Sequence, residues 1–77
     1  MLTGKRFRLE RATLSVEMKD SKPTAFTVPA GAIVTVVSGP QQGDGMVHVI
    51  YDGHKLQMFA VDVDVRGTEL PDKGAHA

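Results

Sequence analysis

The sequence predicts an all-β protein, folded as a small, partly open barrel of about five strands. Apolar and polar residues alternate with a period of two from one end of the chain to the other, and no segment keeps an apolar pattern at helical spacing. Asp52-Gly53 stands between two alternating runs, which is typical of a two-residue hairpin turn. Turn signals divide the rest into short strands, and closing such strands into a barrel protects their edges.

Length and composition predict one domain over residues 1–70 with a flexible tail over 71–77. A chain of 77 residues buries only about 60–65% of the surface that its unfolded form exposes, so its core is thin. The absence of cysteine excludes disulfides and thiolate metal sites, which leaves oligomerisation as the route to further burial. The same absence favours a reducing, cytoplasmic location. No apolar stretch reaches the length of a signal peptide or a membrane span, so no membrane association is predicted.

Charge is balanced overall but unevenly distributed. Nine basic and nine acidic side chains give a formal net charge of zero, which predicts no general attraction to nucleic acid. Four acidic residues make the C-terminal part acidic: Asp62, Asp64, Glu69 and Asp72. Four basic residues lie near the N-terminus: Lys5, Arg6, Arg8 and Arg11. We interpret both groups as solvated flanks. Nucleic-acid binding by the basic group is an alternative, although it lacks the interleaved aromatic residues that stack on bases.

The first half of the chain predicts extended segments separated by one clear turn. Residues 6–10 and 13–18 each alternate, and they form either one long strand or two strands joined at Arg11-Ala12. Residues 19–23 predict a turn, because Asp and Ser bond to nearby backbone and Pro23 cannot donate to a ladder. Extended structure is expected again over residues 24–28.

The run from Ala32 to Val37 is the most β-branched in the chain. It predicts a strand buried on both faces at the centre of the barrel. The polar, glycine-rich segment 38–45 follows. No Gly-Lys-Ser/Thr and no helix come after it, so we interpret it as a flexible loop and not as a phosphate cradle.

The turn at Asp52-Gly53 fixes the register of the two strands around it. Tyr51 then pairs with His54, and His48 pairs with Gln57. One face of the hairpin holds Val47, Val49, Leu56 and Met58 and is predicted to be core. The opposite face holds Met46, His48, Ile50, Lys55, Gln57 and Phe59, which is too apolar for simple exposure to water.

The segment after the hairpin predicts one tight helical turn over residues 60–62. Val63, Val65 and Gly67 then form a last short strand. On that strand Asp62 and Asp64 share a face, where we interpret them as solvated charges that discourage edge-to-edge aggregation.

This series of elements resembles small bacterial SH3-like barrels over residues 5–67. A narrower likeness lies in Leu56-Gln57-Met58-Phe59-Ala60-Val61, which is similar to the Val-Gln-Ile-Tyr-Pro-Val segment of type B dihydrofolate reductases. Those enzymes are SH3-like homotetramers with one shared pore. The resemblance implies that Gln57 contacts folate and NADPH, that the Met58 backbone anchors the cofactor, and that Phe59 lines the pore. Phe59 lacks the hydroxyl of the family's Tyr, and no residue matches the family's pore-facing Lys.

We predict a non-catalytic, SH3-like interaction module that needs no cofactor and forms a homo-oligomer, with a further protein partner as an option. Its interface is the hairpin face of Met46, His48, Ile50, Gln57 and Phe59. A hydrogen bond between His48 and Gln57 there would make assembly sensitive to pH, since charging a desolvated imidazole is costly. The alternatives are an NADPH-dependent reductase and a nucleic-acid-binding barrel. No metal site is predicted, because His48, His54 and His76 do not converge.

Overall fold

The computed structural model describes residues 3–39 and 45–71. They form a single antiparallel sheet of seven strands and one short helix. In chain order the elements are β1 (Arg6–Leu9), β2 (Thr13–Lys19), β3 (Lys22–Val28), β4 (Ile33–Ser38), β5 (Met46–Tyr51), β6 (His54–Phe59), α1 (Ala60–Arg66) and β7 (Gly67–Glu69).

The strands lie side by side in the order β3-β2-β6-β5-β4-β1-β7. The predicted all-β class is therefore confirmed, with seven strands where about five were expected. Of the two alternatives for the N-terminal run, the structure shows two strands, β1 and β2, with a bend at residues 10–12 between them. The last strand, β7, begins at Gly67. Strand β5 is the middle member of the sheet, and β3 and β7 are its outermost members.

The hairpin of β5 and β6 has the register that its turn predicts. Pairs run from Tyr51 with His54 to Met46 with Phe59, and His48 lies opposite Gln57. Asp52 and Gly53 both have positive φ, at 49° and 82°, as a type I′ turn requires. The predicted core residues of this hairpin are at most 1% exposed: Val47, Val49, Leu56 and Met58.

The prediction for β4 is wrong in two respects. Val34 and Val36 are fully buried, but Ile33 and Val37 are 46% and 48% exposed, so only one face of the strand packs against the core. The strand is also not the central one, a place that β5 takes. Its β-branched composition indicated a strand correctly, but such residues favour extended backbone whether or not the second face is covered.

The turn between β2 and β3 is tighter than the predicted one. Only Asp20 and Ser21 lie in it, with φ of 50° and 65°, and Lys19 pairs directly with Lys22. Pro23 is inside β3 and pairs with Met18. Since β3 is an outermost strand, a residue without an N–H is tolerated there.

The predicted strand at residues 63–67 is also wrong. Residues 60–66 form α1, in which Val63 is fully buried and Val65 is 75% exposed. Asp62 lies 3.8 Å from Arg66 one helical turn later, so Asp62 and Asp64 do not share a strand face. The last strand begins at Gly67, where an added Cβ would lie 2.5 Å from the carbonyl oxygen of Val63.

The predictions for the loop at residues 38–45 and for the C-terminal tail fall only partly on residues that the structure describes. The glycine-rich loop 38–45 begins later than expected, because Ser38 still belongs to β4. Residues 40–44 lie outside the described part of the chain, and so do residues 72–77 of the predicted tail. Pro71 is described: its carbonyl accepts a hydrogen bond of 3.0 Å from the Arg6 guanidinium.

Candidate functional site

Four neighbouring strands, β2, β6, β5 and β4, turn one set of side chains away from the core. We call this surface the outer face. It contains the predicted hairpin residues and extends beyond them on both sides, since Leu14 and Met18 of β2 are 58% and 52% exposed there. Ile33 and Val37 add to it from β4.

Strand β2 contributes apolar residues to the outer face because its core side is polar. Thr13 and Ser15 are only 1% and 2% exposed. Each hydroxyl donates a hydrogen bond to a backbone carbonyl, Thr13 to Arg11 at 2.9 Å and Ser15 to Phe26 at 2.6 Å. Buried hydroxyls that are satisfied in this way cost little, so the alternating Leu14, Val16 and Met18 are left on the outside.

A row of side chains crosses the outer face at right angles to the strands. Ser38 pairs with His48, His48 with Gln57, and Gln57 with Val16, so four strands meet along one line. A β-bulge between Val36 and Ser38 inserts Val37 into this line beside His48. Bulges commonly re-aim side chains next to functional sites, and this one brings an apolar and a hydroxyl group to the same place.

A groove with a volume of about 630 Å³ runs along this row. We call it the central groove. Its apolar outer-face residues are Val16, Met18, Val37 and Ile50, and its polar ones are Ser38, His48, Lys55 and Gln57. The volume falls in the range of about 300–1,000 Å³ that is usual for small-ligand sites.

Lys55 is the one residue with a full positive charge among those that line the central groove, and no acidic residue lines it. Within residues 3–39 and 45–71, the ion pairs lie elsewhere: Lys5 with Glu69, Arg8 with Glu10, His54 with Glu17, and Arg66 with Asp62. The Lys55 ammonium therefore has no carboxylate partner in the described structure.

The structure brings most of the predicted site residues together. His48, Ile50 and Gln57 line the central groove. Met46 lies on the same face at the far end of β5, where it pairs with Phe59, which is 51% exposed. Met58 points the other way and is fully buried. Its side chain is core, which leaves only its backbone for the role that the reductase resemblance implies.

The other histidine of the hairpin belongs to a separate cluster on the core side. The His54 Nδ1 atom lies 2.9 Å from the Glu17 carboxylate, whose side chain is 14% exposed. The ring of His54 packs against Phe26 at 5.0 Å between centroids, and Phe26 meets Tyr51 edge-on at 6.2 Å. This cluster joins β2 and β3 to the central hairpin. His48 and His54 are on opposite faces, as predicted, and His76 lies outside the described residues.

Three of the four N-terminal basic residues contact neighbouring groups of the chain. Lys5 lies 3.3 Å from Glu69 and Arg8 lies 3.5 Å from Glu10. Arg6 donates to the carbonyl of Pro71. These contacts support the interpretation of a solvated flank.

No group of three or more His, Asp or Glu side chains in the described ranges has the geometry to hold a metal ion. None of the helical structure described is long and apolar enough to span a bilayer.

Comparison with protein-family models, with curated proteins and with solved structures finds no match to this chain. The SH3-like and reductase-like resemblances therefore stay predictions from the sequence.

Proposed function

We propose that this protein is a non-catalytic, SH3-like interaction module that self-associates through its outer face, in the cytoplasm as its cysteine-free composition suggests. One observation carries the proposal. Five of the seven large hydrophobic residues that are exposed in the described part of the chain lie on this face: Leu14, Met18, Ile33, Val37 and Phe59. Contiguous apolar surface on a small protein is usually covered by a partner.

A second copy of the chain fits this face chemically. In a two-fold contact the same patch meets itself, so each polar group must find a hydrogen-bond partner among the polar groups of the same patch on the other copy. The Gln57 amide both donates and accepts hydrogen bonds, and the ring nitrogens of an imidazole such as that of His48 can take part in hydrogen bonds as well. The row that contains them is therefore self-complementary, and the apolar groups on either side can pack against their counterparts.

A contact between two copies would need the whole outer face. Four strands spaced by about 4.8 Å, each about 20 Å long, project an area of about 400 Å², and the side-chain relief makes the accessible area larger. A standard interface buries about 800 Å² on each partner, so the whole outer face is required and not the groove alone. The total accessible surface is 5151 Å², so a dimer of this kind would bury a substantial part of the surface of a protein whose own core is small.

Sedimentation equilibrium tests the proposal directly. The wild-type protein is expected to sediment as a dimer or larger assembly at micromolar concentration. His48→Ala should weaken association about tenfold, because Gln57 of the other copy loses a hydrogen-bond partner inside the contact. Thr24→Ala, on an exposed position of β3 outside the groove, is the control and should leave the mass unchanged. A wild-type monomer at high concentration would contradict the proposal.

The second candidate function is a pore-type, NADPH-dependent reductase. The observation that favours it is the position of Gln57, the one identity with the family segment, in the wall of a groove with Phe59 exposed on the same face. Catalysis would then rest on holding folate and cofactor side by side, without a general acid from the protein.

Under the reductase reading, NADPH should bind and stabilise a tetramer, and Gln57→Ala should abolish that binding while the fold is kept. Isothermal titration with NADPH, followed by sedimentation in its presence, measures both effects. Failure of wild-type protein to bind NADPH at millimolar concentration would remove this candidate and leave the interaction module. Thr24→Ala is again the matched control, because it lies outside the groove.

A further inference from the structure

We propose that the central groove is a binding site for a small amphipathic carboxylic acid, with the carboxylate on Lys55 and the apolar chain along the groove. This goes beyond self-association, since it assigns a ligand to the face. It rests on charge, on shape and on the order of polar and apolar groups along the lining.

Charge selects an anion. Lys55 is the fully charged residue of the groove lining, and no Asp or Glu lines the groove. The carboxylates that neutralise other cations of the described structure, such as Glu69 for Lys5 and Asp62 for Arg66, lie elsewhere. A cation without a partner beside an apolar surface favours a ligand that brings one negative charge.

Shape selects an apolar body of limited length. The groove crosses β2, β6, β5 and β4, and Lys55 lies on β6, two strand spacings of about 4.8 Å from β4, which gives about 10 Å. Ile50 lies opposite Lys55 on β5 and Val37 lies beyond it on β4, whereas Val16 and Met18 lie on the other side of Lys55, on β2. An unbranched chain of about eight to ten carbons that begins at Lys55 is of this length and would cover Ile50 and Val37. The neighbouring Gln57 amide can donate a second hydrogen bond to the carboxylate.

One consequence depends on the proposed self-association. The ligand would cover Ile50 and Gln57, which the contact between two copies also uses. Ligand and second copy are therefore expected to compete for the outer face, and decanoate should shift the sedimentation equilibrium towards the monomer.

Isothermal titration with three probes separates the contributions of charge and chain. Decanoate, below its micellar concentration, is expected to bind with one site per chain. Acetate has the charge without the chain, and decyltrimethylammonium has the chain with the opposite charge. Both should bind at least tenfold more weakly than decanoate. Equal binding of decanoate and decyltrimethylammonium would overturn the assignment of Lys55, because it would show that the surface binds apolar chains regardless of their charge.

Lys55→Met tests the residue itself, because it keeps the apolar stem and removes the charge. It should weaken decanoate binding at least tenfold, and Lys22→Met, on an exposed position of β3, should leave it unchanged. Chemical-shift changes on adding decanoate should be centred on His48, Gln57 and Ile50. Shifts confined to another surface, or equal affinity for wild type and Lys55→Met, would overturn the proposal.

Sedimentation with and without decanoate keeps this inference distinct from the proposed function. Decanoate binding to a protein that is monomeric even without it would support the groove site and count against self-association. A stable assembly that decanoate neither binds nor dissociates would overturn the groove site and leave self-association standing, with the second copy filling the groove.

Discussion

Ile50→Lys is expected to abolish self-association and to leave the fold intact. Ile50 lies on the outer face in the middle strand of the sheet, directly opposite Lys55, and it is partly buried within one copy. A lysine there adds a second positive charge next to Lys55 in the proposed contact. Because the charge loses hydration when two copies meet and faces its own counterpart, association should weaken about 100-fold or more, which corresponds to about 2.7 kcal/mol.

The matched control for Ile50→Lys is Thr24→Lys, which adds the same charge at an exposed position of β3 outside the groove. Sedimentation equilibrium should give a monomer for Ile50→Lys and the wild-type mass for Thr24→Lys. Far-ultraviolet circular dichroism should be the same for all three proteins, since water can solvate a lysine on the outer face of the monomer. If Ile50→Lys and wild type had equal masses above the monomer, assembly would have to use another surface.

The hairpin could be predicted residue by residue because its turn fixes its register. Asp52-Gly53 determines which residues face each other, and the side-chain period of two then assigns Val49 to the core and His48 to the opposite side. No other segment carries so complete a signal. The turn between β2 and β3 is formed by Asp20 and Ser21 at positive φ. Neither residue adopts positive φ as readily as glycine, so the sequence did not predict the exact position of this turn.

The sequence predicted a helical turn over residues 60–62, and the rest of helix α1 was missed for a reason of length. It has seven residues, fewer than two full turns, and only Val63 among them is buried. One buried position cannot display a 3.6-residue period, and the alternating Val61, Val63 and Val65 imitate a strand. What makes the segment helical is tertiary: Val63 packs into the core, and Gly67 passes close to the end of the helix.

Half of the candidate site was likewise beyond the reach of sequence reasoning. The contributions of β5 and β6 follow from the hairpin register, but those of Val16, Met18 and Val37 depend on which strands flank it. Pairing between strands far apart in sequence is decided by packing, and no local sequence pattern predicts it. The sequence offered one hint, the alternation of Leu14, Val16 and Met18. Such apolar residues would normally be assigned to the core, but Thr13 and Ser15 are buried instead, so the apolar residues lie on the outer face.

Leu56→Ala is expected to destabilise the fold by about 2–5 kcal/mol, the usual range for a buried leucine replaced by alanine. Leu56 is 1% exposed and belongs to the core cluster with Val47, Val49 and Met58. At about 0.05–0.15 kcal/mol per residue, a chain of 77 residues has a total stability of about 4–12 kcal/mol. The substitution therefore removes a large share of it, and a marginal protein would unfold.

The neighbouring position supplies the control, because Gln57→Ala changes the opposite face of the same strand and should alter the stability of the monomer by no more than about 0.5 kcal/mol. Urea unfolding of both variants in the Ile50→Lys background gives the comparison, since association would otherwise add to the apparent stability. A large loss for Leu56→Ala with a small one for Gln57→Ala would establish that the core lies on the Leu56 side. The reverse result would mean that the two faces of the hairpin are exchanged, and the outer face would then be the core.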